Sequence, residues 1–181
     1  MTMSKNFMRD RGQSKYEPYV KAEATPLPTT VLMTRPLIAG DINFILNSWM
    51  RSHRNCEGNW AIPHQTYFRC KELQIRKWLS NPLRKVLLAV DKEDHDHILG
   101  YIIYSQELGG FVDYLYVKDV FRGYGIANLL VNATGLRKDG LQITHMSPAV
   151  KSYMEKNKPH KQCGPEDHPH FFRFNPFLSG I

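Results

Sequence analysis

Between Val117 and Ala127 the chain reads Val-Lys-Asp-Val-Phe-Arg-Gly-Tyr-Gly-Ile-Ala. The two glycines separate a strand-like run, Phe111 to Val117, from a helix-like run that continues to Leu136. A glycine turn at the mouth of a helix leaves backbone N–H groups without intrahelical partners, and the helix dipole adds positive potential there. Arg122 adds a full charge at the edge of the turn. The ligand that suits such a turn is an anion, typically a phosphate. The spacing is not Gly-x-Gly-x-x-Gly and no Gly-Lys-Ser/Thr is present, so neither the dinucleotide nor the P-loop fingerprint is met. A glycine-containing strand-to-helix turn with no ligand is the plainer alternative.

Three further groups could carry chemistry. Asp113 lies on the strand leading into the turn, and alternation puts it with Leu115 and Val117, opposite Val112, Tyr114 and Tyr116. A carboxylate there can act as a base or be simply solvated or hydrogen-bonded. Arg51, His53, Arg54, Trp60 and His64 cluster between two helical patterns. A basic loop with an aromatic residue can cradle an acidic or nucleic-acid acceptor by charge and stacking, or can be an ordinary charged surface loop with Trp60 over the core. His160, Cys163, His168 and His170 fit no standard zinc spacing, and no metal is expected.

The elements that must position these groups read as an α+β order. Thr29 to Arg35 is β-rich, and Asp41 is a plausible N-cap. Ile42, Ile45, Leu46 and Trp49 then recur on one helical face. A second helix runs from about Thr66 to Leu79, ahead of Pro82. Arg84 to Asp91, Ile98 to Gln106 and Phe111 to Val117 read as three consecutive antiparallel strands. The glycine turn and its helix end near Gly135 or Gly140. Leu141 to His145 is a short strand, Pro148 to Asn157 looks helical, and the tail with Phe171, Phe172 and Phe174 crosses the sheet or pairs as a last strand.

A length of 181 residues suits one domain with a sizeable core. Residues 1–30, polar and carrying Pro18, Pro26 and Pro28, read as a flexible or docking arm, with the domain at 31–181. Such an arm could dock on a second copy of the chain, so a homodimer is possible. No run approaches ~18 uninterrupted apolar residues, so no membrane span is expected. Met1 to Asp10 lacks the apolar core of a secretory signal. Three cysteines, Cys56, Cys70 and Cys163, without pairing or metal spacing suggest a reducing cytoplasm. The net charge of +7 favours an anionic contact: nucleic acid, an acidic protein or a charged cofactor.

The turn also fits the Arg/Gln-x-x-Gly-x-Gly/Ala signature of the GNAT superfamily of acyl-CoA-dependent N-acyltransferases. Arg122, Gly125 and Ala127 stand on its defining positions, with Gly123 an additional match. Tyr-Val-Lys-Asp-x-Phe before it and Ile-Ala-x-Leu-Leu after it resemble the same family, over roughly Ile98 to Leu136. The resemblance implies a GNAT fold: a mixed sheet, flanked by helices, with an acyl-CoA cleft where two adjacent strands splay apart. It implies acetyl-CoA held by Tyr116 and Val117 on the strand, through backbone groups near Tyr114 to Val117, and by Arg122, Gly123, Tyr124, Gly125, Ile126 and Ala127 on the turn. It implies acetyl transfer to a primary amine.

Within Ala149 to Asn157, Tyr153 matches the Ala-x-x-x-Tyr spacing of the family's helical tyrosine near the CoA sulfur, which often protonates the leaving thiolate. Ser147 upstream and Asn157-Lys158 downstream depart from the family pattern, and Tyr153 could instead pack on the sheet. Asp113 is the candidate base, although many members use a water chain. The connection holding Arg51, His53, Arg54 and Trp60 helps form the acceptor site in the family. The chain also resembles short GNAT-type proteins of tailed bacteriophages, whose acceptors are mostly unknown. Two other readings stay open. One is a DNA base-modification protein resembling the phage Mom type. The other is a non-catalytic GNAT-fold interaction module.

Overall fold

The computed structural model describes residues 31–54, 59–136, 141–145 and 173–175. Within them a six-stranded sheet runs β1 to β6 in chain order. β1 (Leu32–Pro36), β2 (Lys85–Asp91), β3 (Ile98–Ser105) and β4 (Phe111–Val117) pair antiparallel, each with the next. β5 (Gln142–Ile143) joins β4 in parallel, and β6 (Arg173–Phe174) joins β5 in parallel. Within the aromatic tail, Arg173–Phe174 pairs as the last strand of the sheet among the described residues. The architecture is α+β, with a mixed open sheet flanked by helices.

Helices cover both faces. α1 (Ile42–Arg54) and α2 (His64–Leu79) lie on one side, and α3 (Ile126–Ala133) lies on the other. The apolar face read at Ile45, Leu46 and Trp49 is buried as expected, joined by Met50. On the first side Trp49, Trp78, Tyr101 and Tyr114 form an aromatic core. Trp49 stacks on Trp78 at 5.2 Å and on Tyr114 at 4.4 Å. On the other side Ile126 and Leu130 of α3 pack on Ile102 and Val112. Because both faces are covered, every residue of β3 is buried and no polar alternation shows.

Two local details differ from the expectation. Asp41 precedes α1, as an N-cap would, but its carboxylate turns back. It accepts both guanidinium arms of Arg35, at 2.6 and 2.9 Å, and the Ile38 N–H at 2.9 Å. It thus ties β1 to the start of α1. The second difference concerns Asp113. Ile103 pairs with Tyr114, but Tyr104 pairs with Val112. Asp113 is the extra residue of a β-bulge. It therefore leaves the face of Leu115 and Val117, and its side chain meets Arg84, which lies over the Trp78 ring on the α1–α2 side. Alternation across an uninterrupted strand had implied the opposite face.

The N-terminal arm, residues 1–30, and the helical pattern around Tyr153 lie outside the described residues.

Candidate functional site

The strand–turn–helix unit is built as its glycines require. Gly123 has φ 94° and Gly125 φ 80°, the left-handed region in which a Cβ is costly. Gly125 is the N-cap of α3, and no side chain caps the helix. Among the described residues its first-turn N–H groups therefore have no side-chain cap. A Cβ built on Gly125 would meet nothing within 4 Å among the described residues. Gly125, Arg122 and Gly123 are exposed, Tyr124 and Ala127 are half-buried, and Ile126 points into the core. Arg122 folds back on its own turn. Its Nη2 pairs with Asp119 at 2.5 Å and its Nε approaches the Val117 carbonyl at 3.4 Å. The guanidinium thus sits beside the helix mouth.

Immediately upstream, the described ladder between β4 and β5 ends. Their ladder comprises Phe111 with Gln142 and Val112 with Ile143, and ends where the Thr144 N–H donates to Val112 O at 3.1 Å. At the next residue side chains replace the ladder. The Asp113 carbonyl accepts from Thr144 Oγ1 at 3.3 Å and from His145 Nδ1 at 3.0 Å. From Tyr114 to Val117, β4 has no β5 partner among the described residues. The side chains of Tyr114 and Tyr116 are used elsewhere. Tyr116 stacks on Tyr101 at 5.3 Å, and the Tyr114 hydroxyl lies 2.7 Å from Ser52 Oγ on α1. What Tyr116 and Val117 can offer a ligand along the parted edge is backbone.

On the α1–α2 side of the parting, Asp113 is not a free carboxylate. Arg84 Nε donates to its Oδ2 at 2.7 Å, with both side chains almost wholly out of water (2% and 0% exposed). Its Oδ1 accepts from Thr144 Oγ1 at 3.1 Å. Burial pushes the Asp113 carboxyl up, while Arg84 and Thr144 oppose that rise.

His145 and His53 meet here, their ring centroids 5.4 Å apart. Burial, reinforced by the Lys71 ammonium, pushes His145 down to about 3 and His53 down to about 4. Both rings are neutral at ordinary pH. Lys71 itself lies over the rings of Trp49 and Trp78, at 5.7 and 5.2 Å.

The four residues expected at an acceptor site separate. His53 faces Tyr114 and His145. Arg51 is exposed on α1. Arg54 is committed to its own loop, donating to Asn59 O at 2.5 Å and Ile62 O at 2.7 Å, over the Tyr67 ring at 4.8 Å. Trp60 lies in the short 3-10 turn Asn59–Ala61. Sequence reasoning missed His145, Thr144, Arg84 and Lys71. The one sequence signal was a Thr-His pair closing the short apolar run next to the glycine-turn strand. Among the described residues no group of three or more His, Cys, Asp or Glu is placed to hold a metal ion. No helix among them is long and apolar enough to cross a membrane.

No protein-family model matches the chain, and no curated protein matches it significantly. Solved structures do. A candidate acetyl transferase from Pyrococcus furiosus superposes with a TM-score of 0.52 at 17% identity, over 73% of this chain and 95% of its own. The ribosomal-protein-alanine N-acetyltransferase of Brucella melitensis biovar Abortus 2308 gives 0.47 at 14% identity, over 74% and 95%. The Escherichia coli GNAT-family N-acetyltransferase YhbS, solved with CoA, gives 0.42 at 20% identity, over 61% and 58%. At these identities the likeness, carried by the first of the three, concerns the fold alone. With its mixed sheet, parted β4 and β5, and glycine turn into α3, the chain has the GNAT fold.

Proposed function

We propose that the chain is an acyl-CoA-dependent N-acyltransferase that moves acetyl from acetyl-CoA to a primary amine by direct attack. The observation that supports this most is the end of the described β4–β5 ladder at Asp113, one strand-length ahead of the N-terminus of α3, which no side chain caps among the described residues. A pantetheine arm has two amides and can pair along Tyr114 to Val117 as an added strand. Its pyrophosphate then reaches the N–H groups of Arg122 to Ala127, with the helix dipole and Arg122 opposing its charge. The thioester is left at the parting, beside the His53–His145 cluster. Holding thioester and amine in line contributes on the order of 7 kcal/mol or more to lowering the barrier. Tyr153 is assigned the proton of the departing thiolate on its match to the family's helical tyrosine.

Among the basic residues that favoured nucleic acid, Arg54 is held by loop carbonyls. Net charge then carries the DNA-modification reading, and the amine acceptor is preferred.

Calorimetry with acetyl-CoA tests the donor site. The wild-type chain should give a saturable isotherm. Gly125→Glu should abolish it, because a side chain and a negative charge would occupy the α3 mouth. Unchanged binding by a folded Gly125→Glu protein would remove the site from this turn.

A further inference from the structure

The helix that opens at the glycine turn is held from its other end. α3 is eight residues long, and its fully buried side chains, Ile126 and Leu130, stand one turn apart. Its tilt on the sheet therefore depends on what grips its ends. At the C-terminal end the grip comes from the connection between β3 and β4. Gln106, the residue after β3, donates from Nε2 to Thr134 O at 3.3 Å. Its Oε1 accepts from Lys85 Nζ, at the start of β2, at 2.7 Å. The two partners agree on the orientation of the amide, because an ammonium can only donate and a carbonyl can only accept. The last carbonyls of a helix have no intrahelical partner, and the negative end of the dipole lies there. Gln106 gives one of them a donor, and Lys85 sets a positive charge behind that donor, at the end where it is favourable.

A second attachment lies two residues on. Thr134 Oγ1 donates to Val131 O at 2.7 Å and accepts from the Leu136 N–H at 3.1 Å, which closes the helix and turns the chain back. Leu136 then seats against the same β3–β4 connection. A Cβ on Gly110 would stand 2.6 Å from Leu136 Cδ2, so the seat exists because residue 110 has no side chain. Both attachments are to β3–β4, the strand pair whose second member carries the edge from Tyr114 to Val117. The opposite end of α3 is the mouth at Gly125. Eight residues of helix span about 12 Å, so a tilt of about 5° at one end moves the other by about 1 Å. A displacement of that size is enough to spoil a site built on oriented groups.

We propose that Gln106 is a positioning residue for the acyl donor: by holding the Thr134 carbonyl it sets the tilt of α3, and with it the place of the N–H groups of Arg122 to Ala127 relative to the β4 edge. This rests on the acyltransferase reading and adds to it a residue that the donor never touches. The donor needs two things at once, a strand edge for its amides and a helix mouth for its pyrophosphate. Those two belong to different elements, and the tie from Gln106 to Thr134 fixes one against the other. The coupling runs both ways. A donor that engages the edge and the mouth together favours the tilt that Gln106 holds, and so must strengthen the hydrogen bond at the far end. Lys85 supports the tie by orienting the amide and polarising it as a donor.

Calorimetry with acetyl-CoA on the full chain tests this, beside melting curves and nitrogen-edited NMR. Gln106 and Lys85 are exposed, so their variants should fold and melt close to wild type. Gln106→Ala should weaken acetyl-CoA binding about tenfold, a size usual for couplings that act through the fold. Gln106→Glu keeps an acceptor for Lys85 but has nothing to donate to Thr134 O, and should weaken binding as much. The double change Lys85→Gln with Gln106→Lys exchanges the two groups. It again places a donor toward Thr134 O and an acceptor behind it, and should recover most of the affinity. In the unsubstituted protein the Gln106 side-chain amide signals should shift as acetyl-CoA saturates the site. Wild-type affinity in Gln106→Ala or Gln106→Glu, no recovery in the double change, or Gln106 signals that ignore bound acetyl-CoA would each overturn the proposal. A wild-type chain that binds no acetyl-CoA would instead overturn the acyltransferase reading beneath it.

Discussion

Arg84 Nε lies 2.7 Å from Asp113 Oδ2, and the pair is closed off from water beneath the point where β4 and β5 part. The bulge at Asp113 turns the carboxylate toward Arg84, and its other oxygen holds Thr144. One ion pair thus anchors the bulge, the end of the β4–β5 ladder and the His145 ring.

Breaking that pair from one side should be expensive. Asp113→Asn leaves the Arg84 guanidinium buried without its counter-charge and should destabilise the fold by about 3–5 kcal/mol. The double change Arg84→Met with Asp113→Leu removes both charges and should cost much less. Urea denaturation of the three proteins measures this. A near-silent Asp113→Asn would mean that the pair is far wetter than its burial indicates.

The strands from β2 to β4, the two N-terminal helices and the glycine turn are legible in the sequence. Apolar periodicity and glycine placement act locally, and each element is long enough to display them. The face of Asp113 was not legible, because a bulge inserts one residue without altering the apolar pattern around it. β5 spans two residues, too few for a period, so Thr144 and His145 looked like the end of a strand. Arg84 and Asp113 are far apart in sequence and joined through the sheet, and the polar contacts of the His53 and His145 rings exist only once Asn59 and the Asp113 carbonyl are in place. The glycine turn was legible because its φ angles are a property of the local chain. The His53–His145 cluster is assembled from five separate segments: α1, α2, the residue before β2, β4 and the end of β5.

Acid should unfold this protein earlier than a protein of exposed histidines. Both His53 and His145 have folded-state values depressed to about 4 and about 3, against an ordinary value of 6.5. Below that ordinary value the unfolded chain binds protons that the folded chain does not. Stability is therefore fully present above it and falls as the pH drops toward the folded values. The slope is at most about 1.4 kcal/mol per pH unit for each ring, less for the partial exposure of both. Urea midpoints taken from neutral pH down to the folded values should fall, and His53→Gln with His145→Gln should flatten the fall. An unchanged slope in the double variant would assign the acid sensitivity to the carboxylates.

Two glycines near the donor edge should respond differently to alanine. Gly125 has φ 80° but a Cβ there would meet nothing within 4 Å among the described residues, so Gly125→Ala should cost only the left-handed backbone penalty, about 1–2 kcal/mol. A Cβ on Gly100 would stand 2.6 Å from the Tyr116 carbonyl, which is backbone and cannot rotate away. Gly100→Ala should push β4 off β3, cost about 1–3 kcal/mol, and also weaken acetyl-CoA binding, because the moved strand is the one proposed to pair with pantetheine. Melting curves and calorimetry on the two variants separate the effects. Full acetyl-CoA affinity in Gly100→Ala would uncouple the β3–β4 contact from the donor site.

Arg54 and Arg51 lie three residues apart on α1 and should behave as unlike residues. Arg54 donates to the carbonyls of Asn59 and Ile62 and covers the Tyr67 ring, whose hydroxyl in turn donates to Met50 O. Asn59, held in this way, is the residue that orients His53. Arg54→Ala should therefore cost about 1.5–3 kcal/mol, the range for hydrogen bonds from a charged donor, and it should loosen the Asn59 contact with the His53 ring. Arg51 is exposed, and Arg51→Ala should stay within about 0.5 kcal/mol of wild type. Urea denaturation gives the first comparison, and histidine NMR gives the second, with the His53 ring signals shifting only in Arg54→Ala. If DNA is bound, Arg51→Ala should lower the slope of log affinity against log salt by about one, the value for a single phosphate contact. Equal stability and unaltered His53 signals in Arg54→Ala would show that the loop is held by other contacts, and that Arg54 is available to a ligand after all.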